Sequence, residues 1–350
     1  MLANRRSGWM LYGAYGTTGR LILEEALRRG HRPLLAGRDP SRLSALAAET
    51  GLEAIALDLG APEAGRKALA GVSVVLNAAG PFFETGGPLR RLCLDAGASY
   101  VDVNGEIDDF LAALKCDAEA RARGIAVIPG AGFGVVFGEA VAAHVATRLP
   151  DASWLRISMD VVNAQTSGGA ARSTASVLAG GGYAVSEGKL QERPTAFTTW
   201  RVASERDAGP RFAAAPRAEL VAAQRLTGIK DIVAGVPLSL PAALVVRVAG
   251  RLVGKLLSRR SPPRASNPPA VKPARTDLRS RLWAEAGNRA GQRVRSLLET
   301  GEGYVMAAAA AVRAVERVLA EHPLGALAPA QAFGADFALS LPGTRIRDLP

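Results

Sequence analysis

The chain has 350 residues, 48% of them hydrophobic and 21% charged, with a formal net charge of +11. That length allows a sizeable buried core, and the composition is that of a globular protein, which excludes an intrinsically disordered chain. The basic balance favours anionic partners, but aromatic residues are only 5% of the chain and no basic run is interleaved with them, so nucleic-acid binding is not expected.

Two cysteines, Cys93 and Cys116, are too few for a disulfide scaffold or a cysteine-based zinc site, and a reducing, cytoplasmic compartment is expected. The N-terminal segment MLANRRSGW carries no long apolar stretch with a cleavage site, so it does not read as a signal peptide. From there, apolar runs at Trp9–Tyr12, Pro33–Ala36, Ala54–Leu57, Val74–Ala78, Tyr100–Val103 and Ala126–Pro129 read as strands. Helical patterns such as RLILEEALRRG and SRLSALAAETG separate them, and Gly30, Gly51 and Gly124 sit where helix C-caps belong. Strands joined through single helices need crossover connections, which predicts a parallel, doubly wound α/β sheet over residues 1–130.

A second α/β (α+β) domain, for substrate or for a homodimer contact, is expected over residues 131–300. Within it Ser153–Val162 reads as a strand, Gly169–Leu178 as a helix, and Thr195–Phe212 as strands and loops. Residues 242–257 read as a helix with Arg247, Arg251 and Lys255 at four-residue spacing. Its apolar lead-in is broken by Pro237 and Pro241 and falls short of the roughly 20 residues a spanning helix needs. No transmembrane segment is expected. A basic amphipathic helix suits peripheral contact with anionic lipid, and it equally suits a domain helix with a solvated stripe. Residues 258–276 are Pro-rich and basic and read as a mobile loop. RLWAEAGNRAGQRVRSLLET reads as a hairpin turning at GNRAG. An Ala-rich helix over 303–321 and a strand in DFALSLPG complete a C-terminal part, 301–350, expected to pack back on the first domain.

The first strand runs into Gly13-Ala-Tyr15-Gly16-Thr17-Thr18-Gly19 and then a helix. The first glycine permits the tight turn, the second lets amide groups approach a pyrophosphate, and the third lets helix and strand pack closely. The helix N-terminus adds unpaired N–H donors and the positive dipole end, and the threonine hydroxyls can add more. The second strand ends Ala36-Gly37-Arg38-Asp39. An NAD site usually places a carboxylate there for the ribose 2′-OH; Arg38 instead matches a 2′-phosphate, which favours NADP(H) over NAD(H). The alternative is a solvated Arg38 beside a helix N-cap made by Asp39 or Ser41. Asp58, after the third strand, can accept from the adenine amino group or serve as a surface residue near a helix start.

Five segments, YGAYGTTGR, LLAGRD, VVLNAAGPF, YVDVNGE and PGAGFG, together resemble the saccharopine dehydrogenase-like (saccharopine reductase-like) oxidoreductases, the family that includes the trans-acting enoyl reductases. The likeness is strongest over residues 9–150 and returns in PAQAFGADFALSLPG. It implies a Rossmann domain followed by a second domain, with substrate and nicotinamide meeting between them. It also implies that Asn77, Ala78, Ala79, Gly80, Pro81 and Phe82 lie along the nicotinamide. Topology agrees, because ligands sit at the carboxyl ends of parallel strands. The same argument brings Asp102, Asn104, Gly105 and Glu106 to the cleft, with Asn104 and Glu106 as catalytic candidates; ordinary cap duty is the other reading of both. Phe83, Phe133, Ser167 and Arg172 are further substrate-side candidates. One departure stands out: family members often carry Asp at the position of Gly134.

No Tyr-x-x-x-Lys pair, metal constellation or Gly-x-Ser-x-Gly elbow occurs. His31, His144 and His322 are isolated, and His144 reads as packed within a helix. Hydride transfer needs no protein nucleophile, so the expectation is an NADPH-dependent reductase of a C=C or C=N bond in a small or acyl-carrier-bound metabolite. The competing expectation is a catalytically weak or silent nucleotide-binding protein that acts at lipid surfaces or with protein partners.

Overall fold

In the first sheet, side-chain alternation sorts one set of strands into two cores. Leu11, Leu35, Leu76 and Val101 enter one apolar layer, and Met10, Ala36, Val75 and Tyr100 the other. A strand buried on both faces reads as unbroken apolar sequence, which is why these runs were legible. The computed structural model describes residues 8–161, 181–202, 209–259 and 279–350. Its first sheet contains β1 (Gly8–Tyr12), β2 (Leu34–Gly37), β3 (Ala54–Ala56), β4 (Val72–Asn77), β5 (Ser99–Asp102), β6 (Ala126–Ile128) and β15 (Gly325–Ala326). All pair in parallel in the order β15-β6-β5-β4-β1-β2-β3. This is a Rossmann-like sheet, and its strand order reverses between β1 and β4. The crossover helices are α1 (Thr17–Arg28), α2 (Pro40–Thr50), α3 (Pro62–Ala68), α4 (Phe82–Ala96), and the pair α5 (Ile107–Leu114) and α6 (Asp117–Ala122).

A long helix, α7 (Phe133–Arg148), leads to a second, mixed sheet. Its path is β10 (Thr199–Arg201), β11 (Arg211–Ala214), β12 (Asp231–Pro237), β7 (Trp154–Asp160), β13 (Ser280–Gly287), β14 (Arg293–Thr300) and β16 (Arg345–Leu349). A hairpin of β8 (Gly182–Ser186) and β9 (Lys189–Arg193) joins it through the Val185–Ile232 pair. Only β12 and β7 run parallel among these pairs. Leu155, Ile157, Ile232, Leu282 and Leu298 bury one face in the same core as α7 and α8 (Glu219–Thr227). Helix α9 (Leu240–Arg259) packs near β11, with Ala243 clustered with Ala196 and Ala213.

The C-terminal segment serves both sheets. Helix α10 (Gly303–Glu321) covers the first sheet beside α1 and buries an unbroken run from Met306 to Val312. Glu316 on α10 fastens it to the end of α1 through Arg29 (3.2 Å) and to His31 (3.0 Å). β15 then extends the first sheet, and β16 closes an edge of the second.

Three sequence expectations change. DFALSLPG is not a strand: it forms a short 3₁₀ turn at Phe337–Ser340, with Phe337, Ala338 and Leu341 buried. Those spacings suit a helical turn better than a strand. The actual last strand is the charged RIRDL segment of β16, which pairs with β14 and not with the first sheet. His144 is not simply packed: its Nε2 meets the Asp348 carboxylate at 2.8 Å, so it pins β16 to α7. The expected helix at 169–178, Ser167, Arg172 and residues 260–276 lie outside the described residues.

Candidate functional site

The loop after β1 is shaped by what its glycines lack. Gly13 has φ +84°, a left-handed conformation that L side chains rarely adopt, and a Cβ there would come 2.8 Å from Cβ of Ala79. Its N–H donates to the Ala36 carbonyl (2.8 Å), which locks the loop to the end of β2. A Cβ on Gly19 would collide with the Gly13 carbonyl oxygen, so only glycine lets α1 start this close to β1. Gly16 is the N-cap of α1 and supplies no side-chain acceptor. The amide groups of Thr17, Thr18 and Gly19 accordingly have no acceptor among the described residues.

The neighbouring helices are finished differently. The Asp39 carboxylate accepts from the N–H groups of Ser41 and Arg42 and so caps α2. The Glu106 carboxylate accepts from the N–H groups of Phe82 (3.1 Å) and Phe83 (3.0 Å), capping α4 from another loop. Of these three helix starts at the carboxyl edge of the sheet, α1 is the one left open to an external anion.

Around that opening, the Tyr15 hydroxyl accepts from the Asp39 N–H (3.1 Å), and its ring occupies the space a Gly37 side chain would need. The Arg42 guanidinium lies 4.5 Å from the Tyr15 ring centroid and donates to its carbonyl. Arg42 is therefore spent on holding the loop. Arg38 is exposed and makes no hydrogen bond or ion pair among the described residues. Asp58 is also exposed, and its Oδ1 accepts from the Gly60 N–H (2.9 Å).

At the ends of β4 and β5 lies a buried polar network. Asn77 is fully buried and directs its side chain inward: Nδ2 donates to the Tyr100 hydroxyl (3.1 Å) and to Thr85, while Oδ1 accepts from the Ala79 N–H (3.0 Å). It fixes the Ala78–Pro81 backbone. Phe82 is buried at the start of α4, and Phe83 beside it is 56% exposed. Asn104 donates to Asp109 (2.8 Å) and accepts from the Glu106 N–H. Arg90 and Asp109, both buried, form a bidentate pair at 2.9 and 2.8 Å. A Cβ on Gly86 would collide with that Asp109 carboxylate. Asp102 accepts from the N–H groups of Asn104 (2.9 Å) and Gly130 (2.7 Å), while its buried Oδ2 has no hydrogen-bond partner among the described residues. Burial, helped by the charge of Asp109, pushes the Asp102 carboxyl up to about 7 against the pull of those two amides.

The opposite side of this edge carries residues that sequence reasoning missed. Gly134, in the first turn of α7, has no room for a side chain, because the Glu219 carboxylate and the Arg217 guanidinium fill that space. Arg217 donates to Glu219 (2.7 Å), and the Ala218 N–H reaches the Gly105 carbonyl. An ion pair thus stands where the β5 loop, α7 and the second sheet meet. Phe133, half-buried, lies against Phe137 with ring centroids 4.7 Å apart and the rings tilted by 33°. No spacing rule connects Gly134 to Arg217 and Glu219, so the sequence held no local signal for this pair. Of the candidate residues read from the sequence, the structure gathers Gly13–Gly19, Arg38, Asp58 and Asn77–Phe82 along one edge of the first sheet. Asp102, Asn104 and Glu106 lie along that edge too, but in structural bonds.

Comparison with known proteins agrees with this geometry. Residues 13–102 match a family model described as NAD(P)H-binding. The human saccharopine dehydrogenase-like oxidoreductase is 29% identical over 146 residues, covering 35% of this chain and 34% of that protein. A trans-acting enoyl reductase of Mycobacterium tuberculosis is 35% identical over 112 residues, covering 30% of this chain and 27% of that protein. The chain thus matches about a third of the length of these curated relatives. Over nearly its whole length, 98% of this chain and 100% of the other, it superposes on apo saccharopine dehydrogenase (L-Glu forming) from Saccharomyces cerevisiae. The TM-score is 0.62 at 13% identity, which establishes a shared fold.

Proposed function

We propose, from an NAD(P)H-binding domain set in the fold of a saccharopine dehydrogenase, that this chain is an NADPH-dependent oxidoreductase. Its substrate is proposed to carry a C=C or C=N bond in a small or acyl-carrier-bound metabolite, a class suggested by the enoyl reductase among its relatives. A bound nicotinamide would supply the hydride. The observation that carries the reading is the open N-terminus of α1 beside an unpaired Arg38, with Asp39 already committed to its cap. The glycine loop suits a pyrophosphate, because Gly13 and Gly19, where a Cβ would run into Ala79 and the Gly13 carbonyl, let the chain turn tightly and bring the open amides of α1 up to the end of β1. No carboxylate at the end of β2 remains for a ribose 2′-OH, whereas the Arg38 guanidinium suits a 2′-phosphate. The free oxygen of Asp58 would take the adenine amino group. The Ala78–Pro81 backbone, rigid on Asn77, would support the nicotinamide half.

A second reading, nucleotide binding without turnover, is favoured by one observation: the polar atoms of Asn104 and Glu106 are spent inside the protein. Fluorescence titration of NADPH and NADH into wild type and Arg38→Ala tests the cofactor claim. Tight NADPH binding, weakened roughly tenfold or more in the variant, with weak NADH binding throughout, is the expected result. Equal affinities would remove the 2′-phosphate reading, and no binding would remove the reductase altogether. With binding in hand, NADPH oxidation on enoyl thioesters and imines separates the two readings.

A further inference from the structure

Helix α9 carries its apolar residues the wrong way round for a domain helix. The side buried against Ala196, Ala213 and Leu238 is small, with Ala243 at its centre and Val246 beside it. The larger apolar residues face out: Leu240 is 52%, Leu244 63%, Val245 61% and Val248 80% exposed. Residues 240, 244 and 248 follow one another at single-turn spacing, so they form a continuous stripe. Monomeric soluble proteins rarely leave such a stripe bare unless it meets something.

Charge identifies what it meets. The twenty residues of α9 include Arg247, Arg251, Lys255 and Arg259 and no Asp or Glu. Beside its first turn, a cleft of about 670 Å³ is lined by Arg201, Arg211, Pro237, Leu238 and Leu240. Arg211, which donates to the Thr199 hydroxyl, brings a guanidinium group to that cleft. A second copy of the chain packed on this stripe about a two-fold axis would set cations against cations. Among the described residues no helix is long and apolar enough to cross a membrane. An in-plane helix with an apolar face and cationic flanks matches the boundary between phospholipid headgroups and acyl chains.

We propose that α9 docks the protein on an anionic phospholipid surface. Leu240, Leu244, Val245 and Val248 enter the acyl boundary, and Arg211 and Arg247 meet headgroup phosphates. The site is remote from the nucleotide loop and does not depend on the reductase reading.

Sedimentation of the full chain with vesicles tests this. Vesicles of phosphatidylcholine and phosphatidylglycerol in equal parts should carry the protein down at low salt and release it as salt rises. Phosphatidylcholine vesicles should not carry it down. Leu244→Asp with Val248→Asp should weaken binding to the mixed vesicles roughly tenfold or more, while the melting temperature stays unchanged because both positions are exposed. Arg247→Glu should weaken it too, and it carries the test if the double variant does not fold. Failure of wild type to sediment with the mixed vesicles, or equal binding to both vesicle types, would overturn the proposal. So would a dimer in solution that the double variant splits, since the stripe would then belong to a second copy.

Discussion

Gly19 leaves no space for a methyl group, because its Cβ would meet the Gly13 carbonyl oxygen. Gly19→Ala must push α1 away from β1 and misalign the open amides, so nucleotide affinity should fall by roughly an order of magnitude or more in a titration. A backbone clash of this kind typically costs about 1–3 kcal/mol of stability, visible in a denaturant melt; unchanged affinity would show that the loop does not cradle the ligand. The glycines were legible in the sequence because their requirement is local: a turn, an approach, a contact within a few residues. Asp102, Asn104 and Glu106 were legible only as positions. The sequence places them after a strand end, but their partners are Gly130, Asp109 and the start of α4. Whether a polar side chain faces a substrate or a backbone amide depends on elements far along the chain. Arg217 and Glu219 illustrate the limit, since only the fold brings them to Gly134.

At the scale of elements, α7 and α8 are held close by two glycines one turn apart, Gly134 and Gly138, which make room for the Glu219 side chain. The same interface buries Glu139, which accepts from the Ala330 N–H (2.9 Å) and whose Oε1 has no partner among the described residues. Burial, with the charge of Glu219 adding, pushes the Glu139 carboxyl up from 4.5 to about 8. Between those values the folded state binds the proton that the unfolded chain has lost. This group therefore lowers stability progressively as pH rises from about 4.5 toward 8. Glu139→Gln keeps an acceptor for Ala330 and cannot ionise. Its melting temperature should gain on that of wild type by a few degrees between about pH 5 and about pH 8. Parallel melting curves across that range would mean that Glu139 ionises in the folded protein. Elements with a clear apolar pattern, namely β1 to β6 of the first sheet, the β13–β14 hairpin and α10, were readable from sequence. β16 was not, because RIRDL is an edge strand half-exposed along its length and carries no apolar alternation.

For the whole molecule, the first sheet depends on residues distant in sequence: α10 covers its inner face and β15 extends its edge. A fragment of residues 1–150 would leave Leu11, Leu76 and Val101 without that cover. Expressed alone, it should bind a hydrophobic dye strongly and aggregate; a soluble fragment with undiminished NADPH affinity would show that the cover is dispensable. The two-sheet layout was foreseeable from the change in pattern near Pro150. The sharing of the C-terminal segment between both sheets was not, because a strand as short as Gly325–Ala326 has no periodicity to read. That sharing bears on how the protein is made. Domains usually fold one after another as they emerge from the ribosome, but here neither sheet acquires its last strand until residues 325–349 are out. The nascent chain must carry an incomplete first sheet until those residues emerge. It is therefore a natural client for a chaperone that shields apolar surface in that interval.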